Sequence, residues 1–532
     1  MDHPLSSGID KNAIVHIFSQ PRRPCDARLP HFSGKSRNRR IRREFAGEKV
    51  KSDIDAIYQK GIRLAPDAYD FLEKFALEPS ALQKILSSDC FMLTRNDIDG
   101  ILSAEDKIPV ETIVSRSPIF KPEAKEYSPN YKVIEKSDVS GKSRCTGKLE
   151  DFVAHFRDRY ARISKIVRAR ITQNAIVPTS KLKSTSGAKI RLIAMVNKKQ
   201  MTKKGNVLLD VEDEEGSAKV VVMKDTAGFK VHHKILNDDI IALDGKNVDE
   251  LFICDNVEWP DIPVAREMRK SERDVGIAYL SDIHVGSKKF LDGEFSHFIN
   301  WLNGSEGRAD LAGKVKYIII AGDVADGIGI YPEQEKELAV KDIYKQYEMF
   351  DKFMEKVPDY ITVIVGPGNH DAVRRAEPQP IIPYDMLKSE VVRVGSPARV
   401  EIEGIKHLIY HGNSLDSIIA TGGLTYDKPH EAMLELVRRR HLSPIYGQNL
   451  IVPEDHDYLV IEDEPDVVHM GHVHKNGHML YRGTLLLNSG TFQDRTDFQV
   501  RMGHVPSPGL VPILEAKTGK VSYMGFKEGV GT

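Results

Sequence analysis

Asp282 and His284 stand two apart where the apolar run VGIAYL ends, in the stretch YLSDIHVGS. Four further apolar runs end on the same kind of residue. IIIAGDVADG brings Asp323, VIVGPGNHD brings Asn369, His370 and Asp371, LIYHGN brings His411, and VVHMGHVH brings His472 and His474. Most of these lie beside a glycine, which lets the backbone turn sharply and approach an ion or phosphate closely. Imidazoles, carboxylates and one amide oxygen make up the set, and thiolates are absent. Such mixed nitrogen and oxygen donors suit Mn, Fe, Zn or Ni, whereas calcium prefers oxygen alone. The donors are too many for one closed site, so two divalent ions sharing a bridging carboxylate are expected, the clamp used on phosphate esters. Taken singly, each motif is weak. A lone D-x-H or G-D is nearly uninformative, GNHD is compatible with a plain turn, and GHVH with two surface histidines. Their occurrence in this order, each at a strand end, carries the metal-site reading.

Side chains spread over nearly two hundred positions meet only if a sheet delivers them to one edge. From about residue 269 onward, strongly apolar strands alternate with long helical segments, which predicts an α/β domain over 269–532. In open α/β sheets, ligands bind beyond the carboxyl ends of the strands. Before it, LEDFVAHFRDRYARISKIVRAR reads as an amphipathic helix. The short runs KIRLIAMV, NVLLDVED, AKVVVMK, DIIALDGKNV and LFICDNVEW follow. Over 149–268 they predict a small Greek-key barrel of the oligonucleotide/oligosaccharide-binding (OB) type. Residues 111–148 are rich in Pro, Ser and Lys and read as a linker. Helical spacing over 51–110 predicts a small helical module, with a helix start near Ser80. Residues 1–50 hold PRRPCDARLPHFSGKSRNRRIRRE and read as a disordered basic arm. The arm is either merely solvated or in salt-sensitive contact with nucleic acid or an acidic partner.

The bulk numbers set outer bounds. At 532 residues the chain is too long for one core. Its net charge of -1 names no partner, and no apolar stretch is long enough to span a bilayer. The first residues lack the basic-then-apolar order of a signal peptide. Cys25, Cys90, Cys145 and Cys254 are far apart and show no CxxC spacing, which argues against a disulfide framework or a cysteine zinc site. The expectation is a reducing cytoplasm and no membrane partner.

In order and content the strand-end blocks resemble the calcineurin-like metallophosphoesterase superfamily. The resemblance implies a four-layer α/β/β/α sandwich with a dimetal site at its strand ends. It implies one ion on Asp282, His284, Asp323 and His474, and a second on Asp323, Asn369, His411 and His472, with Asp323 bridging. It implies that His370 stands beside the scissile phosphate as a catalytic group and that Asp371 orients it. Longer blocks narrow the match: SDIHVGSKKFL, GDVADGIGIYPEQE, GPGNHDAVRRAEPQP, RRRHLSPIYGQ, DVVHMGHVHKNG and LLLNSGTFQDRTDFQ. Over roughly 150–532 these resemble the small subunits of archaeal family-D DNA polymerases. That family implies an OB-type barrel before the phosphoesterase domain and a heterodimer with a large polymerase subunit. It also implies a usually manganese-dependent 3′–5′ exonuclease acting on DNA primer 3′ ends in replication. Eukaryotic relatives that act as scaffolds have lost most metal ligands, whereas this chain keeps every one. A scaffold role beside the nuclease is compatible with that, and a small-molecule or protein phosphatase is the competing class.

Other features are weaker. Arg374, Arg375 and Arg495 are candidates for contacting a DNA backbone, with plain solvation as the alternative. Asp326 and Gln493 are candidates to support the ligands. RRRH at 438–441 reads as a solvated helix end.

Overall fold

Val- and Ile-rich runs that bury both faces belong in a sheet covered on both sides. The computed structural model describes residues 54–60, 62–72, 82, 85, 92–93 and 120–527, other than 171, 186, 250 and 502. The chain divides into two compact units, Met1–Asp106 and Lys107–Thr532. The basic arm and the helix start at Ser80 lie outside the described residues. In the first unit, residues 54–59 and Pro66–Leu72 are helical, and Arg63–Leu64 pairs in parallel with Met92–Leu93. Ile54, Ile57, Ile62, Leu72, Ile85 and Leu93 form a small core there.

The second unit opens its main body with helix α1 (Leu149–Arg168). Five strands follow: β1 (Lys189–Met201), β2 (Val207–Asp213), β3 (Gly216–Val222), β4 (Ile240–Val248) and β5 (Leu251–Glu258). They pair in the order β1-β2-β3-β5-β4, and β4 pairs back onto β1, which closes a barrel. Within these five, only β3 and β5 run parallel. Leu192, Val196, Leu209, Val220, Ile241 and Phe252 fill the interior.

Two six-stranded sheets come next. The first is built on β6 (Gly276–Leu280), β7 (Val315–Ala321) and β8 (Thr362–Gly366), parallel to one another, with antiparallel β14 (Leu510–Glu515) beside β6. The second contains β9 (Ala398–Ile402), β10 (Ile405–Ile409), β11 (Val467–Met470), β12 (Gly477–Tyr481) and β13 (Thr484–Asn488). In it β10, β11 and β13 run parallel. Alternation along each strand decides what each face meets. Ile277, Tyr279, Ile319 and Ile364 face a core shared with Val400, Ile409, Val467 and Leu487 of the other sheet. Ala278, Leu280, Ile318 and Ile320 pack instead on Phe295, Trp301, Tyr347 and Phe350. Those aromatics come from helices α2 (Asp292–Leu302) and α3 (Ile343–Met354). Leu408, Val468 and Met470 pack on Ile418, Met433 and Leu436 of α4 (Leu415–Gly422) and α5 (Pro429–Arg439).

Two expectations change here. Residues 120–148 belong to the stretch expected to be a linker, yet they join the fold. Tyr131–Val133 pairs antiparallel with β9 as an edge strand, and the Asp138 carboxylate accepts from the Ser140 and Gly395 amides at 2.8 and 2.7 Å. An edge strand tolerates Pro, Ser and Lys around it, so composition alone reads it as a linker. RRRH is not a solvated helix end: Arg439, Arg440 and His441 are buried. Arg439 meets Asp239 of the barrel at 2.8 Å, Arg440 meets Glu464 at 2.7 Å, and His441 meets Asp457 at 2.9 Å. Buried guanidiniums demand partners, and Asp239 and Glu464 supply them.

Candidate metal centre

Each site residue sits just past the carboxyl end of a strand. Asp282 and His284 follow β6, Asp323 follows β7, and Asn369, His370 and Asp371 follow β8. His411 follows β10, and His472 and His474 follow β11. Five of these residues hold positive φ: Asp282 (52°), His284 (55°), Asp323 (52°), His472 (71°) and His474 (54°). Non-glycine residues in that region cost about 1–3 kcal/mol each and cluster at functional sites. Two glycines make room for the carboxylates. A Cβ on Gly368 would lie 2.2 Å from Asp323 Oδ1, and one on Gly471 would lie 2.5 Å from Asp282 Oδ2.

The donor atoms form three overlapping groups, each within 4.8 Å: Asp282/His284/His474, His284/Asp323/His370 and Asp282/Asp323/His411. His284 Nε2 lies 3.0 Å from His474 Nε2, and Asp282 Oδ1 lies 3.4 Å from that same His474 atom. Asp323 Oδ2 lies between two clusters, 3.8 Å from His284 Nε2 and 3.2 Å from His411 Nε2. Asn369 Oδ1 is 3.0 Å from His411 Nε2 and 3.1 Å from His472 Nδ1.

On three of the four rings, those of His284, His411 and His472, an acceptor on the far side fixes which nitrogen is free. His411 Nδ1 donates to the Ala321 carbonyl at 2.7 Å, and His284 Nδ1 faces Asp326 at 2.8 Å. His472 Nε2 faces Asp416 at 3.0 Å. The opposite nitrogens of His411 and His472 therefore point lone pairs at the oxygens of Asp323 and Asn369. Acceptors facing acceptors require a cation or extra protons between them, and Asp282 Oδ1 is itself buried with no hydrogen-bond partner among the described residues. The residues present thus fit divalent ions. Electrostatics agree. Burial would lower the His411 imidazole, but Asp323 and Asp282 outweigh it and raise it to about 10. Burial would raise the Asp282 carboxyl, but His474 and His411 pull it down to about 2. A field that favours protonated imidazole favours any cation.

His370 lines a pocket of about 270 Å³, and its Nδ1 donates to the Asp326 carbonyl at 2.7 Å. Burial holds its imidazole below the usual range. Asp371 does not play the expected part of orienting that ring. Its carboxylate accepts from the Val324, Ala325 and Gly368 amides at 3.3, 3.2 and 2.9 Å, and from the Tyr347 hydroxyl at 2.8 Å. Four donors saturate it, so it ties the β7 turn to the β8 turn.

The supporting residues divide similarly. Asp326 receives His284 Nδ1, and Gln493 Nε2 donates to Asp326 at 3.1 Å, as the sequence suggests. Asp416 on His472 and Gln499, 3.0 Å from His474 Nδ1, escape sequence reasoning. Their one signal is acidic or amide character in the first turn of a helix or in a loop, which is too common to use. Arg374 is not available to DNA. Its guanidinium is committed to the Pro378 carbonyl, to Ser143 at 2.7 Å and to buried Glu454 at 3.2 Å. Arg375 lies at the rim of the His370 pocket, 2.7 Å from the Gly329 carbonyl. Arg495 Nε is buried without a hydrogen-bond partner among the described residues.

A family model described as calcineurin-like phosphoesterase matches residues 276–524, which hold all of these strand ends. Curated relatives extend the likeness beyond that domain. The DNA polymerase II small subunit of Methanocaldococcus jannaschii is 41% identical over 424 residues, covering 76% of this chain and 71% of that protein. That of Archaeoglobus fulgidus is 38% identical over 467 residues, 85% of this chain and 93% of that protein. That of Methanothermobacter thermautotrophicus is 36% identical over 478 residues, 87% of this chain and 97% of that protein.

Proposed function

The chain belongs to the archaeal DNA polymerase II (family-D) small-subunit family, and from that premise we propose that it is a dimetal 3′–5′ exonuclease. Its substrate would be the single-stranded or mismatched 3′ end of DNA, and it would also serve as scaffold for the large polymerase subunit during replication. We read the paired sheets with their helices as an α/β/β/α sandwich and the closed barrel as OB-type. One observation carries the nuclease reading: strand ends from two different sheets bring Asp282, His284, Asp323, Asn369, His411, His472 and His474 to one place.

Asp282, His284, Asp323 and His474 would hold one divalent ion, and Asp323, Asn369, His411 and His472 the other, with manganese the first choice and Fe, Zn or Ni the alternatives. When bound, such a pair supplies Lewis-acid charge at a phosphodiester and acidifies an attacking water. The chain's own groups do the rest. Asp326 and Asp416 fix the rings of His284 and His472 through their outer nitrogens, which sets the ligand tautomers. Asp371 ties the β7 and β8 turns together and so keeps Asp323 in register with Asn369. Burial favours the neutral form of His370, and because Nδ1–H is committed to a carbonyl, Nε2 is the acceptor in that form. An approaching phosphodiester raises its proton affinity, so that Nε2 takes up a proton from solvent and passes it to the departing 3′ oxygen.

Asp323→Asn is the direct test. The variant should keep its fold and its association with the large subunit. Degradation of a single-stranded 3′ end in Mn²⁺ should fall by more than the roughly 10–100-fold typical of losing a supporting residue. Undiminished degradation would refute the assignment. Turnover of a phosphomonoester in place of a DNA end would favour the phosphatase class.

A further inference from the structure

We propose that the pocket beside His370 is a nucleobase subsite, which receives the unpaired 3′-terminal base of the strand being shortened; this rests on the nuclease reading above. Its walls are Ile328, Ile330, Ile343, Ala372 and Val373, and Arg375 stands at the rim. His370 and Asn369 form its inner end, so an occupant lies next to the reacting centre. At about 270 Å³ it is smaller than the ~300–1,000 Å³ of pockets for drug-sized ligands. That leaves room for one base with its sugar and not for two stacked nucleotides. The aliphatic walls offer apolar contact to the face of any base, and none of their side chains has a donor or acceptor that reads a base edge.

The pocket is built in advance. Two fully buried glutamines pin the loop that forms one wall. Gln346 accepts from the Gly327 amide at 2.9 Å and donates to the Gly327 carbonyl at 3.2 Å. Gln334 accepts from the Ile330 amide at 2.9 Å and donates to the Asp326 carbonyl at 2.7 Å. That same Asp326 carbonyl holds His370 Nδ1, so wall and histidine share one anchor. Arg375 bridges the mouth to the Gly329 carbonyl at 2.7 Å. Ile328 and Tyr331 are left 40% and 37% exposed there, and the Tyr331 ring lies 6.3 Å from that of His370. A base must leave its stack and its partner to enter, which costs least when it is mismatched or single-stranded. Preference for frayed ends then follows with no group that reads a mismatch, and every base is accepted alike.

The experiment compares two single-stranded oligonucleotides, one ending in a normal nucleotide and one lacking only its terminal base. The full-length chain is used in Mn²⁺. Wild type should show kcat/KM higher on the normal end by at least about tenfold, the scale that burying an apolar face allows. Ile328→Asp, at an exposed position where a charge leaves the core intact, should collapse that ratio toward one. A second readout needs no turnover. In metal-free protein, emission from a 3′-terminal 2-aminopurine should change on binding wild type and not on binding Ile328→Asp, while an internal label should not distinguish them. A wild-type ratio near one, or a ratio or emission change that survives Ile328→Asp, overturns the subsite. Failure of wild type to shorten either oligonucleotide sinks the nuclease reading itself, and the subsite with it.

Discussion

At the scale of single residues, position relative to the strand end separates groups that titrate for function from groups that are merely buried. His407 is the useful contrast. It lies on β10, four residues before His411, with its Nε2 2.9 Å from the Tyr279 hydroxyl in the core between the sheets. Burial pushes its imidazole down to about 4 from an ordinary value near 6.5. Below pH ~6.5 the unfolded chain takes up a proton that the folded chain refuses, so stability is complete above that pH and is lost as pH falls toward 4. The loss is on the order of 3 kcal/mol at 1.36 kcal/mol per unit. His407→Gln should flatten the dependence of the denaturation midpoint on pH between about 6.5 and 4 by roughly one proton's slope. All seven candidate ligands were legible in the sequence, because each is a donor that interrupts an apolar run next to a turn. Asp416, Gln499 and Tyr347 were not, because what marks them is a contact made across more than twenty residues of chain. The part played by Asp371 was misread for the same reason: two of the three amides that saturate it come from another strand's turn.

At the scale of elements, the strands were readable and their turns were not. Both faces of β6, β7 and β11 are buried, so their continuous apolar runs announce themselves. The edge strand Tyr131–Val133 carries no such run, since one of its sides faces no neighbour. The turns after the strands are where backbone geometry decides chemistry. Gly368 approaches Asp323 so closely that a methyl group would meet both its carboxylate and its amide, at 2.2 and 2.6 Å. Gly368→Ala should therefore displace Asp323 and weaken Mn²⁺ binding by about 10–100-fold, read by isothermal titration. Thermal stability should change far less, because the hydrophobic faces of β7 and β8 are untouched. An unaltered Mn²⁺ affinity would mean that the carboxylate does not depend on the close approach of that turn.

At the scale of the molecule, α1 joins the barrel to the two-sheet domain. Tyr160, Ile163 and Val167 pack on Ile193, Ile240 and Ala242 of the barrel and on Val460 of the larger domain. Arg159 on the same helix meets fully buried Asp457 at 2.7 Å, and His155 and His441 approach that carboxylate at 3.3 and 2.9 Å. Sequence shows a helix there and the basic run at the end of α5, but not that Arg159 and His441 close on one aspartate. The ligand set has a mechanical side as well. Asp282, His284, Asp323 and Asn369 hang from the first sheet, and His411, His472 and His474 from the second. Cations bound between them would act as rivets through two plates otherwise held by apolar packing and a few hydrogen bonds, such as Tyr279 to His407 and His411 to the Ala321 carbonyl. Chelation should let the plates creep at that rim, so amide hydrogen exchange should quicken at the carboxyl ends of β6, β7, β8, β10 and β11 together while the barrel stays unchanged. Exchange that quickened in one plate alone would mean that the cations fasten that plate to itself.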